Sequence, residues 1–378
     1  MKKLLCAFVA VLLVFGNFIL PVSAEKAGHN HKYYIDYISR SADGRTVKSF
    51  GLFCEDCDEV KHIKTGATVI DYSISNNGWG TEGQTTWYFI DGLVSLKDPV
   101  RIYGTVNLVL LDNALFICES GIHVYDNSTL NIYSEHLDYS PAGDKNTMGV
   151  LRSYARDESG EAAAIGSVQK GKNVTVNIYG GDIYAFSDGS GAAIGSGYNY
   201  IGENSSVAVN IYGGKVRANA TGDAAAIGGG YNYTDAKLNF YGGIVHASNT
   251  GKYAASIGCG FWECHAQVNF FGGYVYGEAK TTDGSHIAGI VADPIKRADG
   301  AKQFGNIDGI YDDDGMALAK QAGWLDANGY PLGSILSEGN LWIVIAVVVV
   351  VVGGVATLVI INKKKKPAAA DGAEKEDE

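Results

Sequence analysis

Two stretches decide the fold: VNIYGGDIYAFSDGSGAAIGSGYNY (residues 176–200) and, thirty-three residues later, VNIYGGKVRANATGDAAAIGGGYNY (residues 209–233). Weaker copies follow as LNFYGGIVHASNTGKYAASIGCGFWE from Leu238 and VNFFGGYVYGEAKTTDGSHIAG from Val268. The Gly-Gly pairs at 180–181, 213–214, 242–243 and 272–273 recur at spacings of 33, 29 and 30. A second series, Ile165, Ile194, Ile227, Ile257 and Ile287, recurs at 29, 33, 30 and 30. A fixed period of this size marks stacked units, each unable to bury its apolar face alone.

The unit reads as strands. Val176/Ile178, Val209/Ile211, Leu238/Phe240 and Val268/Phe270 alternate with polar residues at period two and are expected to face inward. Past the glycines, Ile183/Ala185, Val216/Ala218, Val245/Ala247 and Val275/Gly277 repeat the pattern. The AAIG segment supplies small residues where backbones approach closely. Three short strands and three turns per coil of about thirty residues predict an all-β, right-handed parallel β-helix. A β-sandwich does not explain like residues at like positions.

The ends carry other signals. Residues 1–24, with two lysines, an apolar run and Val22-Ser23-Ala24, read as a secretory signal peptide. Residues 341–361 are uninterruptedly apolar and precede Lys363–Lys366, which predicts a single membrane-spanning helix. Positive charge on the cytoplasmic side places residues 25 to about 340 outside the cell membrane and 362–378 inside. Formal net charge is −11 with no basic block outside that flank, which argues against nucleic acid as a partner. Five cysteines remain once Cys6 is removed, an odd number and no disulfide framework.

VNLVLLDNALFICESGIHVYDNSTLNIYSE (106–135), AAAIGS and the YGG…AAIGGG copies together resemble a family of bacterial cell-surface proteins. Its repeats are of the types I-x-G-G-T-V-x-A and G-A-A-I-G-G-G, and its members are often labelled carbohydrate-binding domain proteins. The resemblance covers roughly residues 86–290 and implies a β-helix and glycan binding. The family's Asp-Gly is Asp112-Asn113 here. Residues 25–85 read instead as a hairpin module turning near Asp43-Gly44. Residues 291–340 read as small hairpins, at DDDGMALA and LDANGYPLG, and a short stalk.

For catalysis, a β-helix polysaccharide-degrading enzyme needs clustered acids. Asp182, Lys215, Ile244 and Tyr274 share one outward position with four different chemistries, so the protein is expected not to be an enzyme. His29, His31, Cys54 and Cys57 supply two nitrogens and two sulfurs, a tetrahedral zinc set; His62 is a substitute ligand, and a 54–57 disulfide or plain thiols are the alternatives. Cys259 and Cys264 bracket a loop that a bridge could close, and Cys118 reads as an apolar filler. Asp308 and Asp312–Asp314 lack the spacing of a calcium loop and read as a solvated turn.

Three outward rows remain. Asn177, Asn210, Asn239 and Asn269, and beside them Tyr179, Tyr212, Tyr241 and Phe271, read as like-on-like ladders that lock coil to coil. Tyr184, Arg217, His246 and Tyr276 form a more varied stripe, and Tyr198, Tyr231 and Trp262 stand in corner loops. Rings with polar neighbours can stack on sugar faces, so these seven are the expected ligand-binding residues, for extracellular glycans or host and cell-wall polymers. A purely structural surface module is the alternative.

Overall fold

The computed structural model describes residues 30–325, apart from 58, 71–77, 138, 140–147, 156–159, 201–203, 281–285, 288 and 305–307. The signal peptide, His29, the apolar run at 341–361 and the lysine flank lie outside the described residues. Among the described residues no helix is long and apolar enough to cross a membrane. Residues through Trp324 form one compact unit; of the second, 325–378, only Leu325 is described.

Three parallel ladders run the length of the repeats. In the first, Val174–Ile178 pairs with Ser205–Ile211, then Thr234–Phe240, Cys264–Phe270 and Ile295–Arg297. It extends the other way through Thr129–Ser134, Val100–Leu110 and Gly78–Ile90. The second stacks Leu93–Leu96, Leu115–Cys118, Val150–Ala155, Asp182–Ser187, Lys215–Ala220, Ile244–Asn249 and Tyr274–Lys280. The third is made of two- and three-residue strands around the isoleucine series. Parallel pairing of every coil with the next is the architecture of a β-helix, and it leaves each inward side chain stacked on its equivalent. Val176, Val209, Leu238 and Val268 form one such file, and Ile183, Val216, Val245 and Val275 another; all are 0–1% exposed. Burying a side chain of this size stabilises by about 1.5–3 kcal/mol.

The third ladder explains its four successive glycines, which give way to His123 and Val291 only in its first and last strands. Ile165 pairs with Ile194, Ile227 and Ile257 in turn. Each following glycine sits at φ between 120° and 146°, and a Cβ on Gly195 would lie 2.0 Å from the Gly228 carbonyl oxygen of the next coil. No other residue fits there. The last member of the file corrects the sequence reading: Ile257 pairs with Ile290, not Ile287. Ile287 belongs to an antiparallel turn against Ala279. The final coil is therefore three residues longer, and its close backbone approach is made by Gly289 against Gly277.

Both ends of the stack are covered. Tyr33–Arg40, Thr46–Cys54 and Val60–Ile70 form an antiparallel meander, with Gly44 at φ 72° in the first turn. The end of its third strand pairs in parallel with Gly78–Ile90 and so joins the first ladder. At the other end Gly309–Tyr311 runs antiparallel to Tyr274–Tyr276, and Lys302–Phe304 pairs antiparallel on its far side as the last strand of that sheet. The DDDGMALA segment, expected as a hairpin, is a helix, α1 (Asp313–Gln321). Asp312 caps it by accepting from the Gly315 amide, Asp313 and Asp314 oppose the positive end of its dipole, and Lys320 stands in its last turn. LDANGYPLG lies outside the described residues from Ala327 onward, together with Asp326.

Candidate functional site

The two uniform rows are ladders of coil-to-coil bonding. Asn131 donates its amide to Asn107, Asn177 to Asn131, Asn210 to Asn177, Asn239 to Asn210 and Asn269 to Asn239, at 2.6–2.7 Å. Beside them the rings of Trp87, Tyr133, Tyr179, Tyr212, Tyr241 and Phe271 stack in one column at centroid spacings of 4.5–5.5 Å. The asparagine row is half-buried to buried, and the ring row opens only toward its last member. Asn239 and Asn269 are buried, and exposure of the ring column rises from Tyr133, 6%, to Phe271, 49%. The first strand of the meander lies against the start of the column, with Tyr33 6.0 Å from Tyr179. Burial drives the Tyr133 and Tyr179 phenols far above their ordinary range.

The varied stripe is in register as expected: Tyr184 pairs with Arg217, His246 and Tyr276 in turn. It is not, however, exposed. Tyr184 and His246 are only 5% and 8% exposed. Helix α1 packs against Ile244–Asn249 and Tyr274–Lys280, and Trp324 lays its ring 4.5 Å from the Arg217 guanidinium. Arg217 also pairs with Asp182 at 3.1 Å. Lys215, Ile244 and Tyr274, read as outward, are buried on the same side. The reason is tertiary: Gly315 sits so close to the last Gly-Gly turn that a Cβ would lie 2.0 Å from the Gly273 carbonyl carbon. Asp312 completes the contact, accepting from the Gly273 amide and donating its own amide to the Gly273 carbonyl. The aspartates considered for calcium serve as this cap and, in Asp308, as acceptor for the Gly289 amide. Under the cover, His246 Nε2 is buried without a hydrogen-bond partner, and desolvation, reinforced by Arg217 and opposed by Glu278, holds its imidazole down to about 4.

The corner loops are different. Tyr198 stacks on Tyr231 at 5.6 Å, Tyr231 lies 5.7 Å from Phe261, and Tyr253 and Trp262 flank Phe261. Tyr200 joins the group at Tyr198. Tyr200, Tyr253 and Trp262 are 47%, 48% and 57% exposed. The loop backbones are firmly held: Asn199, wholly buried, donates its side-chain amide to the Tyr233 carbonyl, and the Asn199 and Asn232 amides bond the next loop's carbonyls. Asn232-Tyr233 and, one coil on, Trp262-Glu263 occupy the same turn with positive φ, 63° and 40°, then 67° and 44°. A left-handed tryptophan is a strained placement. These loops lead directly into strands whose outer face carries a groove of about 620 Å³. Its floor is two register rows, Ser206–Asp235–His265 and Ala208–Lys237–Gln267. The groove was not legible in the sequence, because it arises from short side chains such as Ala208 standing beside long ones.

Two donor clusters lie elsewhere. His31, Cys54 and Cys57 place their ligand atoms within 4.8 Å of one another, so three of the four expected zinc ligands meet; His62 is exposed on the meander and outside this group. Asp112, Glu135 and His136 form the second, with His136 Nδ1 2.7 Å from Asp112. Cys118 is buried as expected, and its thiol is pushed up by desolvation.

A family model described as "Beta helix repeat" matches residues 176–198 and 209–231, the two stretches whose stacking is described above. The match supports a β-helix repeat protein, in agreement with the parallel coil-to-coil pairing. No curated protein and no solved structure matches it.

Proposed function

We propose that this β-helix repeat protein is a membrane-anchored cell-surface binding protein that recognises glycans along its corner-loop edge. The observation that carries the reading is the group of exposed rings, Tyr200, Tyr253 and Trp262, gathered about the file of corner rings Tyr198, Tyr231 and Phe261, with Trp262 kept in a left-handed backbone conformation. Coils repeat at about 4.8 Å, so rings on neighbouring corners suit an extended sugar chain, whose faces stack on aromatics. The adjoining groove offers Asp235, His265, Lys237 and Gln267 to its hydroxyls. Anchoring rests on the apolar run at 341–361 and the lysines behind it. No bond-breaking step belongs to this reading.

A glycan array probed with the full-length protein in detergent tests it. Wild type is expected to bind a subset of glycans. Trp262→Ala with Tyr253→Ala is expected to weaken that binding about tenfold or more, about 1.4 kcal/mol, with an unchanged melting temperature. Equal binding by both proteins refutes the corner-loop assignment. Absence of binding to any glycan favours the structural-module alternative, and release of new reducing ends would make the protein an enzyme.

A further inference from the structure

We propose that Cys54, Cys57 and His31 bind one structural zinc ion, which fastens the chain entering the first strand to the tip of the second hairpin. Cys54 ends the strand Thr46–Cys54, and Cys57 lies in the turn after it. His31 comes alongside because the Glu55 amide donates to the Lys32 carbonyl at 2.9 Å and Lys32 pairs with Asp56. The ring of His31 is further oriented by stacking on Tyr33, 5.2 Å away with planes 7° apart.

The spacing of the three donors suits three corners of a zinc tetrahedron. With Zn–S of about 2.3 Å and Zn–N of about 2.05 Å, the sulfur–nitrogen edge of a tetrahedral site is about 3.6 Å. Cys57 Sγ lies 3.7 Å from His31 Nδ1, and all three donors fall within 4.8 Å. Two sulfurs and an imidazole select a borderline-soft cation and disfavour calcium or magnesium, which take oxygen ligands. Glu59 Oε2 lies 3.0 Å from the same nitrogen and is held in place by the Tyr33 hydroxyl and Lys61. Tyr33 in turn contacts Tyr179, so the metal fastens the segment that covers the ring column.

The test uses the full-length protein purified under reducing conditions, loaded with zinc and passed over a desalting column. Elemental analysis is expected to find about one zinc per chain. Cys57→Ser and His31→Gln should each drop it below about a tenth of that, with the far-ultraviolet β signal unchanged. Cobalt substitution should give a thiolate-to-metal charge-transfer band that Cys57→Ser weakens. Zinc retained equally by both variants, or no zinc after loading, overturns the site. So does a 54–57 disulfide without metal in protein alkylated directly from cells.

Discussion

Two rows of the molecule look alike in sequence and end in opposite situations. Tyr184, Arg217, His246 and Tyr276 and the corner residues Tyr198, Tyr231 and Trp262 are both varied, aromatic-rich and outside the coil interior. In the first row His246 and Tyr276 stand on the strands that α1 packs against and Arg217 lies under Trp324; in the second Tyr198 and Tyr231 are half-buried and Trp262 is open, 57% exposed. Variation along a ladder therefore does not mark a recognition surface. The members of the strand row meet different neighbours: Arg217 meets Trp324 and Asp182, while His246 meets Tyr276 of the same row. The corner row varies without a cover, on loops whose backbones are fixed by Asn199 and by bonds between coils.

The largest expected effect that separates the rows is on pH dependence. His246 titrates near 6.5 when unfolded and at about 4 when folded. Between these values the unfolded chain binds the extra proton, so the stability tied to neutral His246 is complete above pH 6.5. It is lost as pH falls toward 4. The difference corresponds to about 3 kcal/mol. Thermal unfolding at pH 7.5 and 4.5 should show it, and His246→Phe should remove that part of the slope. An identical slope in the variant would mean that the stripe is open to water.

A smaller effect probes the cover directly. On an exposed helix Gly→Ala stabilises by up to about 1 kcal/mol. At Gly315 the added Cβ would meet the Gly273 backbone, so Gly315→Ala is expected to destabilise by about 1–3 kcal/mol and to make residues after 312 the first site of proteolysis. A gain in stability would show that α1 does not dock where described.

The smallest effect belongs to the open row. Trp262→Gly relieves a left-handed residue and should change stability by no more than about 1 kcal/mol, in the favourable direction. A loss larger than that, measured by chemical denaturation, would make Trp262 a packing residue of the same kind as the strand row and remove the contrast.

Period-two alternation and the thirty-residue repeat were enough to assign the inward files, the glycine positions and the asparagine and tyrosine ladders, because neighbouring coils repeat the same local pattern. The pairing of Ile257 with Ile290 escaped, since the last coil has no following repeat to fix its length. So did the helix at 313–321, because its Asp cap and Gly315 carry turn chemistry as well as helix-start chemistry. Of the metal cluster, the Cys-x-x-Cys spacing was visible, and the approach of His31 to it was expected only from a hairpin.

What remained for the tertiary structure was which outward residues meet water. Alternation reports the side of a strand on which a residue lies, and that is a local property of the backbone. Covering is a contact between segments far apart in the chain: Trp324 over Arg217, Tyr33 beside Tyr179, Gly315 on Gly273. Such contacts depend on how the ends of the chain return over the stack, and no periodicity within the repeats encodes that path. The open corner edge and the buried histidine both follow from where those returning segments stop.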